Sequence, residues 1–266
     1  MPCAAPSRNN LRVQGPCGFP IVPVVAGVDV SGQNLCLPHY ALKWGLAAIP
    51  KGVAGGIDAN TVFCFHADSL ADTQGHPLTA FGDAKIDSAQ SKFGGSALLL
   101  DGTGDYLSSP DSPDWAFGSG DFTLECWLNL ANVATLNQAI LAQFSSGPGQ
   151  YSWMLRYNGA SGIGFYVSGD GTALTTVANA WVPVAGTWYH VAAVRSGTSL
   201  LVFVNGVLLA TTGTFSGPLF DSNQPLTIGG NAAGGWSLNG SLDEVRISKG
   251  IARWTSNFSV PTAPYT

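Results

Sequence analysis

Asn-Gly pairs constrain this chain more than any other feature. A two-residue type I′ turn needs positive φ at both central positions, which Asn-Gly adopts at little cost, so the pair marks β-hairpins. It occurs at Asn158-Gly159, Asn205-Gly206 and Asn239-Gly240. The middle pair separates LLVFV (Leu200–Val204) from VLLATT (Val207–Thr212), and the first separates YSWMLRY (Tyr151–Tyr157) from IGFYV (Ile163–Val167). Further strands are expected at Val62–His66, Ala97–Leu100, Phe122–Leu130, Ile140–Phe144, Trp188–Arg195, Leu226–Ile228 and Ser241–Ser248. Many short strands divided by Gly, Asn and Asp predict an all-β sandwich of two sheets, or a barrel. A helical period is nowhere sustained. A single helical turn is expected at Gly250–Trp254.

Composition excludes whole classes of function. Of 266 residues, 45% are hydrophobic and 10% charged, with a net charge of −5. A core of that size is incompatible with disorder, and a basic nucleic-acid binder is excluded because phosphate affinity needs clustered Lys and Arg. The most apolar early run, Phe19–Val30, is broken by Pro20, Pro23 and Asp29 and is too short to span a bilayer. The opening MPCAAPSRNN lacks the basic and apolar regions of a secretory signal. The expectation is a protein that acts where it is made, or leaves by lysis or on a particle.

Proline and charge divide the chain near residue 58. Residues 1–58 hold 7 of 16 prolines and a net charge of +2, and the remainder is net −7. The first segment has too little pattern to fold a core and is too apolar for a solvated linker. It is expected to dock on a partner, or to lie along its own C-terminal domain of residues 59–266. Cys3, Cys17 and Cys36 crowd this segment and are candidates for a disulfide, including one between chains. Cys64 and Cys126 stand in apolar strands and read as buried thiols.

Four stretches carry a family likeness: SKFGGSALLLDGTGDYLSSP (Ser91–Pro110), GSGDFTLECWLNL (Gly118–Leu130), GTWYHVAAVRSGTSLLVFVNGVLL (Gly186–Leu209), and LTIGGN to SVPTAPY (Leu226–Tyr265). In this order they resemble the laminin-G-like, concanavalin-A-like lectin jelly rolls common in bacterial and phage proteins. The likeness implies a jelly-roll sandwich of two antiparallel sheets over residues 59–266. It does not reach residues 1–58.

Alternation agrees with that fold. Phe122, Leu124, Cys126 and Leu128 share one face of their strand. In the last strand Asp243, Val245 and Ile247 are expected on one face, and Leu242, Glu244 and Arg246 on the other. Arg246 is expected to pair with Glu244 or with Glu125. Some relatives of the fold hydrolyse polysaccharides with clustered carboxylates, but Glu125 and Glu244 are the only glutamates and neither has an acidic residue two positions away. His190 reads as a core position of the family. No enzyme is expected.

Two binding roles remain. The likeness implies a calcium ion where the first strand of the domain meets the last, at Asp68 and Asp243. Asp72, Asp101 and Asp105 are turn aspartates offering the same oxygen chemistry, and an Asx-turn or capping role is the alternative for each. Glycans stack on exposed aromatic faces. Trp115, Trp153, Trp181 and Trp236 lie in or near loops, with Asn231 and Asn239 flanking Trp236, and serving as lids on the core is the alternative for these tryptophans. Trp127 and Trp188 match strand positions of the family and are expected in the core. The reading that joins these expectations is a non-enzymatic, oligomeric phage virion protein, decorating the capsid through residues 1–58 and displaying a module for host or mucosal glycans. The alternatives are a tail-fibre or adhesin component, and an extracellular bacterial lectin.

Overall fold

The computed structural model describes residues 56–266, apart from 146, 148, 233 and 234. All but the end of the expected docking segment, with Cys3, Cys17 and Cys36, lies outside the described residues. Sixteen strands carry the rest: β1 (Thr61–Phe65), β2 (Thr79–Phe81), β3 (Lys85–Asp87), β4 (Ala97–Asp101), β5 (Tyr106–Ser109), β6 (Phe122–Leu130), β7 (Gln138–Phe144), β8 (Tyr151–Asn158), β9 (Gly162–Val167), β10 (Thr175–Asn179), β11 (Trp188–Ser196), β12 (Ser199–Val204), β13 (Val207–Leu208), β14 (Gly213–Thr214), β15 (Leu226–Ile228) and β16 (Asn239–Lys249). They form two antiparallel sheets. Sheet A has nine strands, in the order β13-β12-β11-β6-β16-β4-β3, with β1 also pairing β16 and β14 pairing β12. Sheet B has seven, in the order β10-β9-β8-β7-β15-β5-β2. The jelly-roll reading holds, and every expected strand is present.

The hairpin signals fare unequally. Asn205 and Gly206 both take positive φ, 48° and 75°, and turn β12 into β13 as a type I′ pair should. Asn158 ends β8, paired with Gly162, and Gly159 opens the connection to β9. Asn239-Gly240 is no turn: it opens β16, where Gly240 faces Leu130 of β6. A Cβ there would collide with the Asn129 carbonyl oxygen, so glycine is required by a close backbone approach.

The core lies between the sheets. Phe122, Leu124, Cys126 and Leu128 of β6 face Trp153, Leu155 and Tyr157 of β8 and Ile163, Phe165 and Val167 of β9 in one cluster. At the centre of β16 the expected alternation fails. Register slips between Asp243 and Arg246, and Glu244 sits in the left-handed region at φ 49°. This β-bulge puts Leu242 and Val245 into the core while Asp243 and Glu244 leave it. The expected helical turn after β16 is irregular instead. Residues 250–266 cover the outer face of sheet A, with Trp254 stacked on Phe258 at 3.8 Å and packed against Ala192, Val194, Leu201 and Phe203.

Candidate functional site

Each sheet has an outer face, and both depart from the polar surface expected of an antiparallel sandwich. On sheet A the departure is a buried charge cluster. Glu125 (β6) accepts from Arg246 at 2.7 Å and from the Tyr265 hydroxyl at 2.8 Å, and stands 3.1 Å from His190 Nε2. Arg246 also donates to the Gly56 carbonyl at 2.6 Å and lies over the Tyr265 ring. Of the two expected pairings, the cross-strand one to Glu125 forms. Burial pushes the Glu125 carboxyl up, but the Arg246 guanidinium and the His190 and Tyr265 donors overcome this and hold it at about 2. Glu244 accepts from the Tyr265 backbone N–H at 2.8 Å and lies 2.9 Å from His66 Nδ1. Both glutamates are therefore engaged by neighbours beneath the C-terminal segment, an arrangement that holds the chain end to the sheet.

The expected calcium residues separate into two places. Asp68 and Asp243 approach the same turn. A Cβ on Gly94 would meet the Asp68 carboxylate, and Asp243 accepts the N–H groups of Lys92 at 2.8 Å and Phe93 at 3.0 Å. Asp243 also accepts from the Glu244 N–H at 2.8 Å and is fully buried, which raises its carboxyl to about 6 against these hydrogen bonds. Among the described residues the carboxylates that converge are instead Asp83, Asp101 and Asp105, with oxygens within 4.8 Å of one another. Asp105 accepts from the N–H groups of Asp83 and Asp101, both at 2.8 Å. Asp72 is buried, accepting from the Cys64 N–H at 2.7 Å and lying 2.7 Å from His76 Nδ1.

On sheet B the departure is aromatic. Along β7, β8 and β9 the residues that alternate with the core form a second cluster: Ala139, Ala142, Phe144, Met154 and Tyr166, with Tyr151 and Trp236 packed against it. Phe144 and Tyr151 are cross-strand partners stacked at 4.3 Å, and Trp236 lies 5.7 Å from Phe144. Trp236 comes from the loop between β15 and β16. Its φ of 54° is uncommon for a bulky residue, and its carbonyl accepts from the Ala139 N–H at 2.8 Å, which ties the loop to the edge of β7. Arg156 (β8) faces the same way. Its guanidinium lies 4.4 Å from the Tyr166 ring centre and 5.3 Å from that of Trp236, and donates to the Tyr166 hydroxyl at 2.5 Å. Gly164 makes room, because a Cβ there would stand 2.7 Å from the Tyr166 ring.

The four candidate tryptophans divide accordingly. Trp115 and Trp153 are completely buried, and Trp153 Nε1 donates to the Trp115 carbonyl at 3.1 Å. They are core residues, correcting the expectation that they stack on a ligand. Trp181 is partly buried between Tyr157 and Tyr189, edge-on to both. Trp236, also partly exposed, joins an aromatic face. Trp127 is buried on the outer side of sheet A, edge-on to His190 and with Lys92 over its ring at 3.9 Å. Sequence reasoning missed Phe144, Tyr151, Arg156 and Tyr166. The sequence signal for them is weak: in YSWMLRY the set Ser152, Met154 and Arg156 is mixed, and Phe144 and Tyr166 join it only through strand pairing.

With this geometry in view, known proteins can be compared. The laminin G family model of the concanavalin A-like lectin/glucanases superfamily matches residues 101–253. The chain belongs to that superfamily. No curated protein sequence matches it. Among solved structures, the binding domain of Paraclostridial Mosquitocidal Protein 1 is similar at a TM-score of 0.56 and 12% identity, covering 73% of this chain and 50% of that one. The binding domain of botulinum neurotoxin DC, in complex with SialylT, is similar at 0.56 and 11%, covering 73% and 49%. Domain 4 of the extracellular arabinanase AbnA from Geobacillus stearothermophilus, in complex with arabinotriose, is similar at 0.56 and 19%, covering 74% of this chain and 95% of that one. At such identities the likeness is one of fold. The superfamily member described here spans about half the length of the toxin binding domains. No described helix is long and apolar enough to cross a membrane.

Proposed function

We propose that this protein binds carbohydrate without turning it over, through the outer face of sheet B. One observation carries the reading: the outer side of sheet B holds an aromatic cluster in which Phe144, Met154 and Tyr166 are buried, and the partly exposed Tyr151, Trp236 and Arg156 pack against them. Flat aromatic faces beside a polar donor suit the apolar face and hydroxyls of a sugar ring. The complexes of two fold neighbours, with arabinotriose and with SialylT, support a glycan as the ligand class. A non-catalytic role is supported by the engagement of both glutamates under the C-terminal segment. The test is titration of the full chain with oligosaccharides. Saturable binding that Trp236→Ala abolishes supports the proposal, and binding unaffected by that change refutes it.

Two further parts belong to the proposal. The apolar, proline-rich residues 1–58 anchor the module to a phage capsid, as a decoration protein that displays its glycan-binding face. Quantitative mass spectrometry of purified particles tests this: tens of copies or more per particle support it, and absence refutes it. Calcium is the expected cofactor, supported by the convergence of Asp83, Asp101 and Asp105. A thermal shift on calcium addition that disappears in Asp83→Asn tests that part.

A further inference from the structure

We infer that the sugar bound on sheet B carries a carboxylate, recognised by Arg156. This rests on the carbohydrate reading above and names the ligand class. The other described arginines all have partners of matching chemistry. Arg246 meets Glu125, Arg253 meets Asp58 at 2.8 Å, and Arg195 donates to the carbonyls of Gly118, Gly197 and Gly217. Among the described residues Arg156 has no ion pair and no carbonyl acceptor; its one hydrogen bond there goes to the Tyr166 hydroxyl. Its Nε is shielded from solvent and has no hydrogen-bond partner. That atom is out of a ligand's reach, so a ligand meets the outer Nη edge of this partly exposed side chain.

The surroundings favour an anion of a particular shape. In the strand register Arg156 lies between Ala139 of β7 and Gly164 of β9, so neither neighbour rises above a methyl group. The Tyr166 ring lies over Gly164 and the Trp236 backbone is bonded to Ala139, so the guanidinium is set between these two aromatic rings. A guanidinium edge matches a carboxylate with two parallel hydrogen bonds, whereas a neutral hydroxyl cannot reproduce the charge-assisted pair. A uronic or sialic acid brings that carboxylate together with a ring that can lie on Trp236 and Tyr151. Nor does a general basic surface attract the ligand, because residues 59–266 are strongly acidic overall. Recognition is then local and stereochemical, which separates an acidic sugar from a sulfated polymer held by bulk charge.

The test uses matched pairs of ligands and the full chain, by isothermal titration. Sialyllactose is compared with lactose, and trigalacturonic acid with galactotriose, which also tells the two carboxylate sources apart. At least tenfold tighter binding is expected for the acidic member of one pair. Methyl esterification of that carboxylate should erase the preference, a measurement that needs no variant. Arg156→Gln should weaken the acidic sugar at least tenfold more than its neutral partner, with a retained cooperative melting transition as the folding control, and equal weakening of both overturns the inference. Equal binding of acidic, esterified and neutral sugars overturns the inference while leaving the carbohydrate reading in place. Failure of every sugar to bind overturns that reading as well.

Discussion

Replacing Glu125 by Gln keeps the shape of the side chain and removes the charge at the centre of the sheet A cluster. In the folded chain that carboxylate answers Arg246 at 2.7 Å, Tyr265 at 2.8 Å and His190 at 3.1 Å, all in a region closed to water. Without it the Arg246 guanidinium is a buried, uncompensated charge, which typically costs about 3–5 kcal/mol. For a domain of 150–250 residues each kcal/mol corresponds to about 2–4 °C, so the melting temperature should fall by about 6–20 °C. The pH dependence gives an independent signature. Glu125 titrates at about 2 in the folded chain against a reference of 4.5, so its contribution is complete above 4.5 and is lost as pH falls through about 2. Calorimetry of the wild type and Glu125→Gln between pH 7 and 2 measures both effects. A fall of less than 3 °C at pH 7, with an unchanged acid limb, would refute the reasoning. As a further check, Glu125→Leu with Arg246→Met should cost less than the sum of the single changes.

Three other outcomes follow from local geometry. Asp243 titrates at about 6 in the folded chain because it is buried, so its contribution is present below 3.8 and is lost as pH rises through about 6; Asp243→Asn should flatten that limb of the stability curve. Gly240→Ala drives a Cβ into the Asn129 carbonyl and should destabilise by about 2 kcal/mol or more, in the range of strained backbone substitutions, as read from urea denaturation. Cys126, in the core with its thiol pushed up by burial, should resist alkylation in the native chain, and rapid labelling detected by mass spectrometry would contradict the packing.

The fold was legible where a single physical requirement governs a segment. Phe122–Leu130 alternates because one side must enter the core, and its predicted bounds match β6. Asn205-Gly206 reads correctly because both residues need positive φ. Asn239-Gly240 misleads because the same glycine is demanded there by close approach to β6 rather than by a turn. The bulge at Asp243 and Glu244 was hidden, since a period-two reading has no means of counting an extra residue. The site was less legible still. In β8 the set Trp153, Leu155 and Tyr157 faces the core as alternation implies, but Met154 between Ser152 and Arg156 gives no sign that aromatics of β7 and β9 cluster on the other face. Arg156 becomes informative only when β7 and β9 set Ala139 and Gly164 on either side of it, and that register is tertiary information.

The central claim places a sugar against Trp236 on the outer face of sheet B. The most direct test is nuclear magnetic resonance of the indole N–H groups of the eight tryptophans during a titration with oligosaccharide. The account predicts a saturable shift of the Trp236 signal, with those of buried Trp115 and Trp153 unmoved. A saturable shift at Trp181 with Trp236 silent would contradict it and move the binding site away from the outer aromatic cluster of sheet B.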